Sequence, residues 1–160
     1  MKTILIVIVI ILFAGGIIWL VAFQKNILSQ ANLTQALAVV EFDKTVQDLG
    51  NMKVSEERTA EFEIRNAGSQ PLVMSGLQTS CMCTFGQIII GENKSPIFGM
   101  AMHGNPKWQG SLEPGQTAVA KVIYRPYLMP VQGPVERIFT FETNDPLNQK
   151  VNLVIKAFVE

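Results

Sequence analysis

Ala60-Glu61-Phe62-Glu63-Ile64-Arg65 is the clearest indication of the fold class, because apolar and charged side chains alternate along it without interruption. Successive side chains of a β-strand point to opposite faces of a sheet, so the pattern predicts a strand that buries Ala60, Phe62 and Ile64. The charged side chains between them are expected to form a solvated face with cross-strand partners. The chain is therefore predicted to contain a sheet with one face against a core.

Further strand signals extend in both directions from this stretch and are separated by turns. Val151 to Val159 shows the same alternation. The other predicted strands are Val39 to Phe42, Leu72 to Leu77, Gln87 to Ile90, Gln116 to Arg125 and Glu136 to Thr143. The intervening turns are marked by Glu113-Pro114-Gly115, Gly133-Pro134 and Asn144-Asp145-Pro146. About seven short strands with almost no helical periodicity predict an immunoglobulin-like β-sandwich.

The N-terminal stretch from Ile4 to Phe23 contains no charged residue. Its length of about twenty residues is what a helix needs to cross the hydrocarbon core of a bilayer. Although Ser29-Gln30-Ala31 resembles a cleavage site, the apolar stretch is longer than the core of a typical signal peptide. Residues 1–25 are therefore expected to form an uncleaved transmembrane signal anchor, residues 26–38 a linker or stalk, and residues 39–160 the sandwich.

Location and partners follow from this anchor and from the charge balance. We expect a single-pass protein of the cytoplasmic membrane, with the domain facing the periplasm or the cell exterior. The chain of 160 residues carries 13 basic and 13 acidic residues, which gives no indication of nucleic acid binding. Besides the membrane, a protein partner of unknown identity is expected, because the edge strands of a sandwich readily pair with a strand of another protein.

An ordered set of motifs in this chain resembles the bacterial domain-of-unknown-function family 1573. The motifs are Glu41-Phe42-Asp43, Leu49-Gly50, Phe62-x-Ile64-x-Asn66-x-Gly68, Ser80-Cys81-x-Cys83-Thr84, Glu113-Pro114-Gly115, Gly133 and Thr143-Asn144-Asp145-Pro146. The resemblance spans residues 39–160 and implies an exported domain similar to the immunoglobulin-like domains of cilia- and sperm-associated proteins. It implies no defined biochemical activity. The chain departs from the family in having a longer segment between Cys83 and Glu113.

Both cysteines of the chain lie in Ser80-Cys81-Met82-Cys83-Thr84. In an oxidising location such cysteines are disulfide-bonded, metal-bound, buried or reactive. Residues two apart in an extended strand are about 6.5 Å apart at Cα, so a disulfide requires a bent or bulged backbone here. Such a small ring would be easily reduced and would suit a thiol redox partner. The simplest interpretation instead has Cys81 and Cys83 as small apolar residues that fill one end of the core.

A metal site is a further alternative, because the long segment after Cys83 carries other soft ligands. Met100, Met102 and His103, the only histidine, lie in this segment. With the thiolates of Cys81 and Cys83 they would form a sulfur-rich set for Cu(I), or a thiolate and imidazole set for Zn(II). This hypothesis requires a fold that returns the segment to the end of the strand before the cysteines.

The sequence shows no set of residues typical of an enzyme. A nucleophilic pair would have to join Cys81 or Cys83 with His103, and no third residue is marked to orient the imidazole. Paired carboxylates and a glycine-rich phosphate loop are also missing from the sequence. We therefore expect a membrane-anchored extracytoplasmic module that acts by protein contact or as part of the envelope structure, with copper or zinc binding and thiol redox exchange as alternatives.

Overall fold

The structure, a computed structural model, describes residues 16, 17, 19, 20, 37–101 and 106–160. The chain divides into two compact units, Met1–Ala36 and Leu37–Glu160. The four described residues of the first unit are helical. Among the residues that the structure describes, no helix is long and apolar enough to span a membrane. The predicted anchor falls almost wholly outside the described residues, so it stays a prediction.

The second unit is built from strands, and ten of them lie within the described residues. In chain order they are β1 (Val40–Phe42), β2 (Val46–Met52), β3 (Arg58–Asn66), β4 (Leu72–Thr79), β5 (Thr84–Ile90), β6 (Asn93–Lys94), β7 (Gln109–Leu112), β8 (Thr117–Tyr124), β9 (Gly133–Thr143) and β10 (Lys150–Val159). A single 3-10 turn, Pro126–Leu128, is described between β8 and β9.

These strands form two five-stranded sheets. Sheet A has the order β1-β3-β8-β5-β6, and sheet B has the order β2-β10-β9-β4-β7. Neighbouring strands are antiparallel except for β2 and β10, which are parallel. The core lies between the sheets, and its largest wholly buried side chains include Phe62, Ile64, Ile88 and Tyr124 of sheet A and Met52, Leu72, Met74, Leu112, Phe139, Phe141 and Leu153 of sheet B. The predicted all-β sandwich is confirmed.

The alternation in β3 has the predicted consequence. Ala60, Phe62 and Ile64 are wholly buried, whereas the residues between them are exposed. On the exposed face, Glu61 lies opposite Lys121 of β8, and the carboxylate Oε1 is 2.8 Å from the lysine Nζ. This pair is the cross-strand partnership expected of a solvated strand face.

All seven predicted strands are present, but the expected number of about seven is too low. The three additional strands are β2, β6 and β7. Most side chains of β2 are exposed or half-buried, and Gly50 within it has a φ of 71°, so its sequence lacks the alternation that identifies a strand. β6 has only two residues and β7 only four, too few to establish a period.

The crossing between the sheets positions both cysteines. β4 ends at Thr79, which lies opposite Phe139 of β9 in sheet B. β5 begins at Thr84, opposite Tyr124 of β8 in sheet A. Residues 80–83 therefore pass from one sheet to the other at one end of the sandwich.

Candidate functional site

The segment from Ser80 to Cys83 is held to both sheets by backbone hydrogen bonds. In sheet B, the N–H of Ser80 donates to the carbonyl of Ile138 at 2.9 Å, and the Ile138 N–H donates to the Ser80 hydroxyl at 2.9 Å. In sheet A, the N–H of Arg125 donates to the carbonyl of Cys83 at 2.8 Å. Between these points the Thr84 N–H donates to the Cys81 carbonyl at 3.2 Å and closes a turn.

Cys81 and Cys83 are joined by a disulfide across this turn. Their Cα atoms are 5.2 Å apart, closer than the roughly 6.5 Å of an extended strand, because the chain bends as the disulfide alternative required. The cysteines are buried, as the core-filling interpretation expected, but its assumption of free thiols is corrected by the bond between them. A ring of three residues restricts the unfolded chain little, so this disulfide adds at most about 2 kcal/mol as a staple.

A guanidinium group lies beside the inner sulfur of this disulfide. Cys83 is wholly buried, and its Sγ accepts a hydrogen bond from Nε of Arg137 at 3.3 Å. Two further contacts hold Arg137: Nη1 donates to the carbonyl of Glu136 at 2.8 Å, and Cζ lies 5.7 Å from the ring centroid of Tyr124. The arrangement sets a permanent positive charge against a buried sulfur.

The outer sulfur, Sγ of Cys81, has different surroundings. Cys81 is 8% exposed, and its Sγ receives the Cys83 N–H at 3.1 Å. The thioether sulfur of Met129 lies 3.8 Å from it. Met82, between the two cysteines, is 58% exposed. Of the two bonded cysteines, Cys81 is therefore the one with some solvent exposure.

The segment with the other predicted soft ligands begins next to this site. Phe98 exchanges two backbone hydrogen bonds of 2.8 Å with Gly86 of β5, and the Thr79 N–H donates to the Gly99 carbonyl at 3.1 Å. The chain thus returns to the end of β4, as the metal hypothesis required. Met100 is 39% exposed, whereas Met102 and His103 lie outside the described residues.

No metal-binding group of three or more His, Cys, Asp or Glu residues occurs in the part of the chain that the structure describes. In the disulfide, Cys81 and Cys83 offer no thiolate to a metal. The predicted ligand set therefore requires the reduced form of the chain.

An exposed apolar surface adjoins the disulfide. Four residues that follow β8, namely Tyr127, Leu128, Met129 and Val131, are each 38–47% exposed, and Met129 reaches Cys81. Together with Met82 we call these residues the apolar end surface. Sequence reasoning missed it, although Pro126-Tyr-Leu-Met-Pro-Val is a continuous apolar run without strand alternation. An open groove of about 640 Å³ lies beside it, lined by Lys53, Val54, Ser55, Tyr127, Pro130 and Glu160.

The buried side chain of Asn66 has a structural role. Its amide nitrogen donates to the carbonyls of Gln70 and Leu112, both at 2.8 Å, and its oxygen accepts the Gly68 N–H at 2.9 Å. The side chain thereby ties the end of β3 to the following turn and to β7. Asn66 therefore connects parts of the fold, and its role is separate from that of the disulfide.

Asp145 is the corresponding buried carboxylate of the turn between β9 and β10. Its oxygens accept the N–H groups of Val40 and Leu147 at 3.0 and 2.8 Å and the side-chain amide of Asn148 at 2.9 Å. Burial raises the pKa of this carboxyl, but these hydrogen bonds outweigh burial and hold the pKa below its ordinary value of 3.8. The charged form therefore joins the turn to β1 of the other sheet.

Solved structures with a similar fold come from several unrelated proteins. A protein of unknown function from Porphyromonas gingivalis W83 is 20% identical, with a TM-score of 0.56 over 78% of this chain and 48% of that one. A family 123 glycoside hydrolase from Clostridium perfringens is 8% identical, with a TM-score of 0.53 over 77% of this chain and 27% of that one. PapD-like domain 7 of human CEP192 is 13% identical, with a TM-score of 0.48 over 76% and 84% of the two chains.

These likenesses are to the fold alone, and the chain spans only about half the length of the Porphyromonas protein. No curated protein is significantly similar to it in sequence. Residues 40–97 match the model of a family described as a protein of unknown function, DUF1573. The resemblance inferred from the sequence motifs is therefore confirmed over residues 40–97, which contain β1 to β6 and both cysteines; this part of the chain is similar to the DUF1573 family.

Proposed function

We propose that this chain is a membrane-anchored extracytoplasmic module that acts by contact with a protein partner of the cell envelope. The observation that carries the proposal is the apolar end surface, where five large apolar side chains stay exposed at one end of the sandwich. Contiguous apolar patches on soluble domains commonly mark interaction sites. Unbranched methionine side chains, two of which lie here, adapt readily to a partner.

The apolar end surface is held in one conformation by hydrogen bonds, which favours a role in binding a partner. The Leu128 N–H donates to the Arg125 carbonyl at 3.1 Å, and the Met129 N–H donates to the Pro126 carbonyl at 3.0 Å. The ring of Pro126 is buried and fixes the start of the turn. Binding a partner would therefore cost little ordering of this segment.

Photo-crosslinking of the full chain in its own cells tests the contact. A photo-reactive phenylalanine analogue replaces Leu128 of the surface or, as a control, Leu147, which is 91% exposed in the turn at the opposite end of β4 and β9. We expect a discrete adduct with one envelope protein from position 128 and no such adduct from position 147. Equal adducts from both positions, or none from either, would contradict the proposal.

The location outside the cytoplasm is supported by the uncharged N-terminal stretch and by the disulfide. Cytosolic thiols are kept reduced, whereas exported domains retain disulfides. A reporter enzyme that is active only outside the cytoplasm, fused after Glu160, is expected to be active in cells. The location would be overturned if this reporter is inactive and a second reporter, active only in the cytoplasm and fused at the same position, is active.

Copper or zinc binding by the reduced chain is the second candidate function. Two observations favour it: Met129 Sδ lies 3.8 Å from Cys81 Sγ, and the hydrogen bond from Thr79 to Gly99 returns the segment with Met100 to the same end. Thiolates and thioethers together suit Cu(I). Native mass spectrometry of the reduced chain is expected to show one bound Cu(I) or Zn(II), and none when Cys81 and Cys83 are both serine. Uptake that survives this change would exclude the site.

A further inference from the structure

We propose that the Cys81–Cys83 disulfide is a redox site that accepts two electrons from a dithiol protein while the sandwich stays folded. The inference requires neither the proposed partner contact nor metal binding, although Met129 of the apolar end surface also contacts the disulfide. It rests on three features of the disulfide: its small structural contribution, the unequal access to its two sulfurs, and the guanidinium group at the inner one.

The fold does not depend on this disulfide for its connection between the sheets. The ring spans only three residues, and the stabilisation from a disulfide falls as its loop becomes shorter. Backbone hydrogen bonds from Ser80 to Ile138 and from Arg125 to Cys83 hold the segment on both sides. Opening the sulfur–sulfur bond therefore leaves both attachments in place.

The unequal burial of the two cysteines favours one of them for attack by an external thiolate. Cys83 is wholly buried, whereas Cys81 has some exposure. From outside the turn, the side chain of Met129 contacts Cys81 Sγ. This side chain is half exposed and unbranched, so it can move away from the sulfur. Attack is therefore directed to Cys81, and Cys83 becomes the leaving group.

Arg137 is placed to stabilise that leaving group. Its Nε is 3.3 Å from Cys83 Sγ, and a hydrogen bond from a guanidinium to a thiolate is stronger than one to a neutral disulfide sulfur. No carboxylate among the described residues forms an ion pair with Arg137; the neighbouring Glu136 pairs with Lys156. A thiolate that is stabilised in this way leaves faster in thiol–disulfide exchange.

The exchange has two balanced steps. A thiolate of the dithiol protein attacks Cys81 Sγ and forms a mixed disulfide, while the bond to Cys83 breaks and Cys83 departs as a thiolate beside Arg137. The second thiol of the partner loses its proton and attacks the partner sulfur of the mixed disulfide, which forms the partner's own disulfide and frees the Cys81 thiolate near the Cys83 N–H. The partner is oxidised by two electrons, which Cys81 and Cys83 receive, and its two protons pass to these sulfurs or to solvent.

Redox equilibration of the full chain tests the role of Arg137. The oxidised chain is incubated with graded mixtures of reduced and oxidised dithiothreitol under native conditions, alkylated and weighed by mass spectrometry. We expect reversible gain of two alkyl groups with an unchanged circular dichroism spectrum. Arg137→Gln is expected to shift the equilibrium about tenfold towards the disulfide, with Arg137→Lys between it and the unmodified chain.

Arg125→Gln is the matched charge control, because the guanidinium of Arg125 pairs with Glu57 and lies over Phe85 at the same end. It is expected to shift the equilibrium less than twofold. The proposal is overturned if the disulfide opens only after denaturation, or if Arg137→Gln has no greater effect than Arg125→Gln.

Single cysteine variants test the direction of attack. With oxidised glutathione as probe, in a buffer alkaline enough to ionise both thiols, folded Cys83→Ser is expected to form a mixed disulfide at Cys81 at least tenfold faster than folded Cys81→Ser forms one at Cys83, because the rates then compare access to the two sulfurs. Thermal unfolding curves of separate samples of both variants establish beforehand that the variants are folded. Equal rates, or a faster reaction at Cys83, would contradict attack at Cys81.

Discussion

Among single residues, two buried polar side chains, those of Asn66 and Asp145, have structural roles in this protein. Asn66 and Asp145 belong to motifs that the sequence analysis quoted, yet neither takes part in the site around the disulfide. Each satisfies its hydrogen-bonding atoms within the fold, as buried polar groups must. Asn66 and Asp145 therefore connect strands, whereas the motif residues Cys81 and Cys83 form the disulfide.

Replacing Asn66 by alanine is expected to lower the free energy of unfolding by about 2–4 kcal/mol, because the buried carbonyls of Gln70 and Leu112 lose their donor. Urea unfolding measures the change. Asn152→Ala is the control, since the exposed Asn152 accepts one hydrogen bond, from Thr140, and its loss is expected to change stability by about 0.5 kcal/mol or less. Equal losses in the two variants would contradict the connecting role of Asn66.

Asp145 predicts a pH dependence of stability. Because its pKa is lower in the folded chain than its ordinary value of 3.8, its contribution is fully present above that ordinary value and is lost as the pH falls through the folded pKa. Asp145→Asn is expected to cost about 1–3 kcal/mol at pH 7. The gap between the two proteins should narrow in urea unfolding near pH 3, and a gap independent of pH would refute this role of the charge.

Among the elements, β5 and β9 bring the two sheets into close contact. A Cβ added to Gly86 of β5 would lie 2.2 Å from Cε2 of Phe139 in β9, and the Phe139 ring is wholly buried. A glycine is thus required here by the close approach of the sheets. The contact lies just beyond the disulfide along β5.

Gly86→Ala is expected to destabilise the chain by about 1–3 kcal/mol, because the buried ring has no space to move. Phe139→Leu in the same chain should recover part of that loss, which a double-mutant cycle of urea unfolding measures. Gly99→Ala is the control, since a Cβ there meets nothing closer than 3.8 Å. Purely additive effects of Gly86→Ala and Phe139→Leu would show that the two residues do not share this space.

At the scale of the whole molecule, the sheets are joined by hydrogen bonds and the core more than by the disulfide. Oxidised and reduced forms of the unmodified chain are expected to differ in free energy of unfolding by about 2 kcal/mol or less, because the ring closes only three residues. Urea unfolding with and without reductant measures the difference. A loss above about 4 kcal/mol would make the disulfide a staple of the sandwich.

The all-β fold and the seven strands with clear signals could be predicted from the sequence, because alternation is a local property that reports which face of a strand is buried. β2 escaped detection because it lies at a sheet edge with most of its side chains in contact with solvent. Its parallel pairing with β10 depends on the packing of the whole sheet, which no local pattern encodes.

Only part of the candidate site could be predicted from the sequence, for the same reason. Cys81 and Cys83, which are separated by one residue, could be recognised as a pair from their spacing, and the spacing also shows that a disulfide between them requires a bend. Arg137 and Met129, which give the two sulfurs their different surroundings, lie 54 and 48 residues away in the chain from Cys83 and Cys81, respectively. These contacts could not be predicted from the sequence, because strand register and the crossing between the sheets bring distant residues to one end of the sandwich.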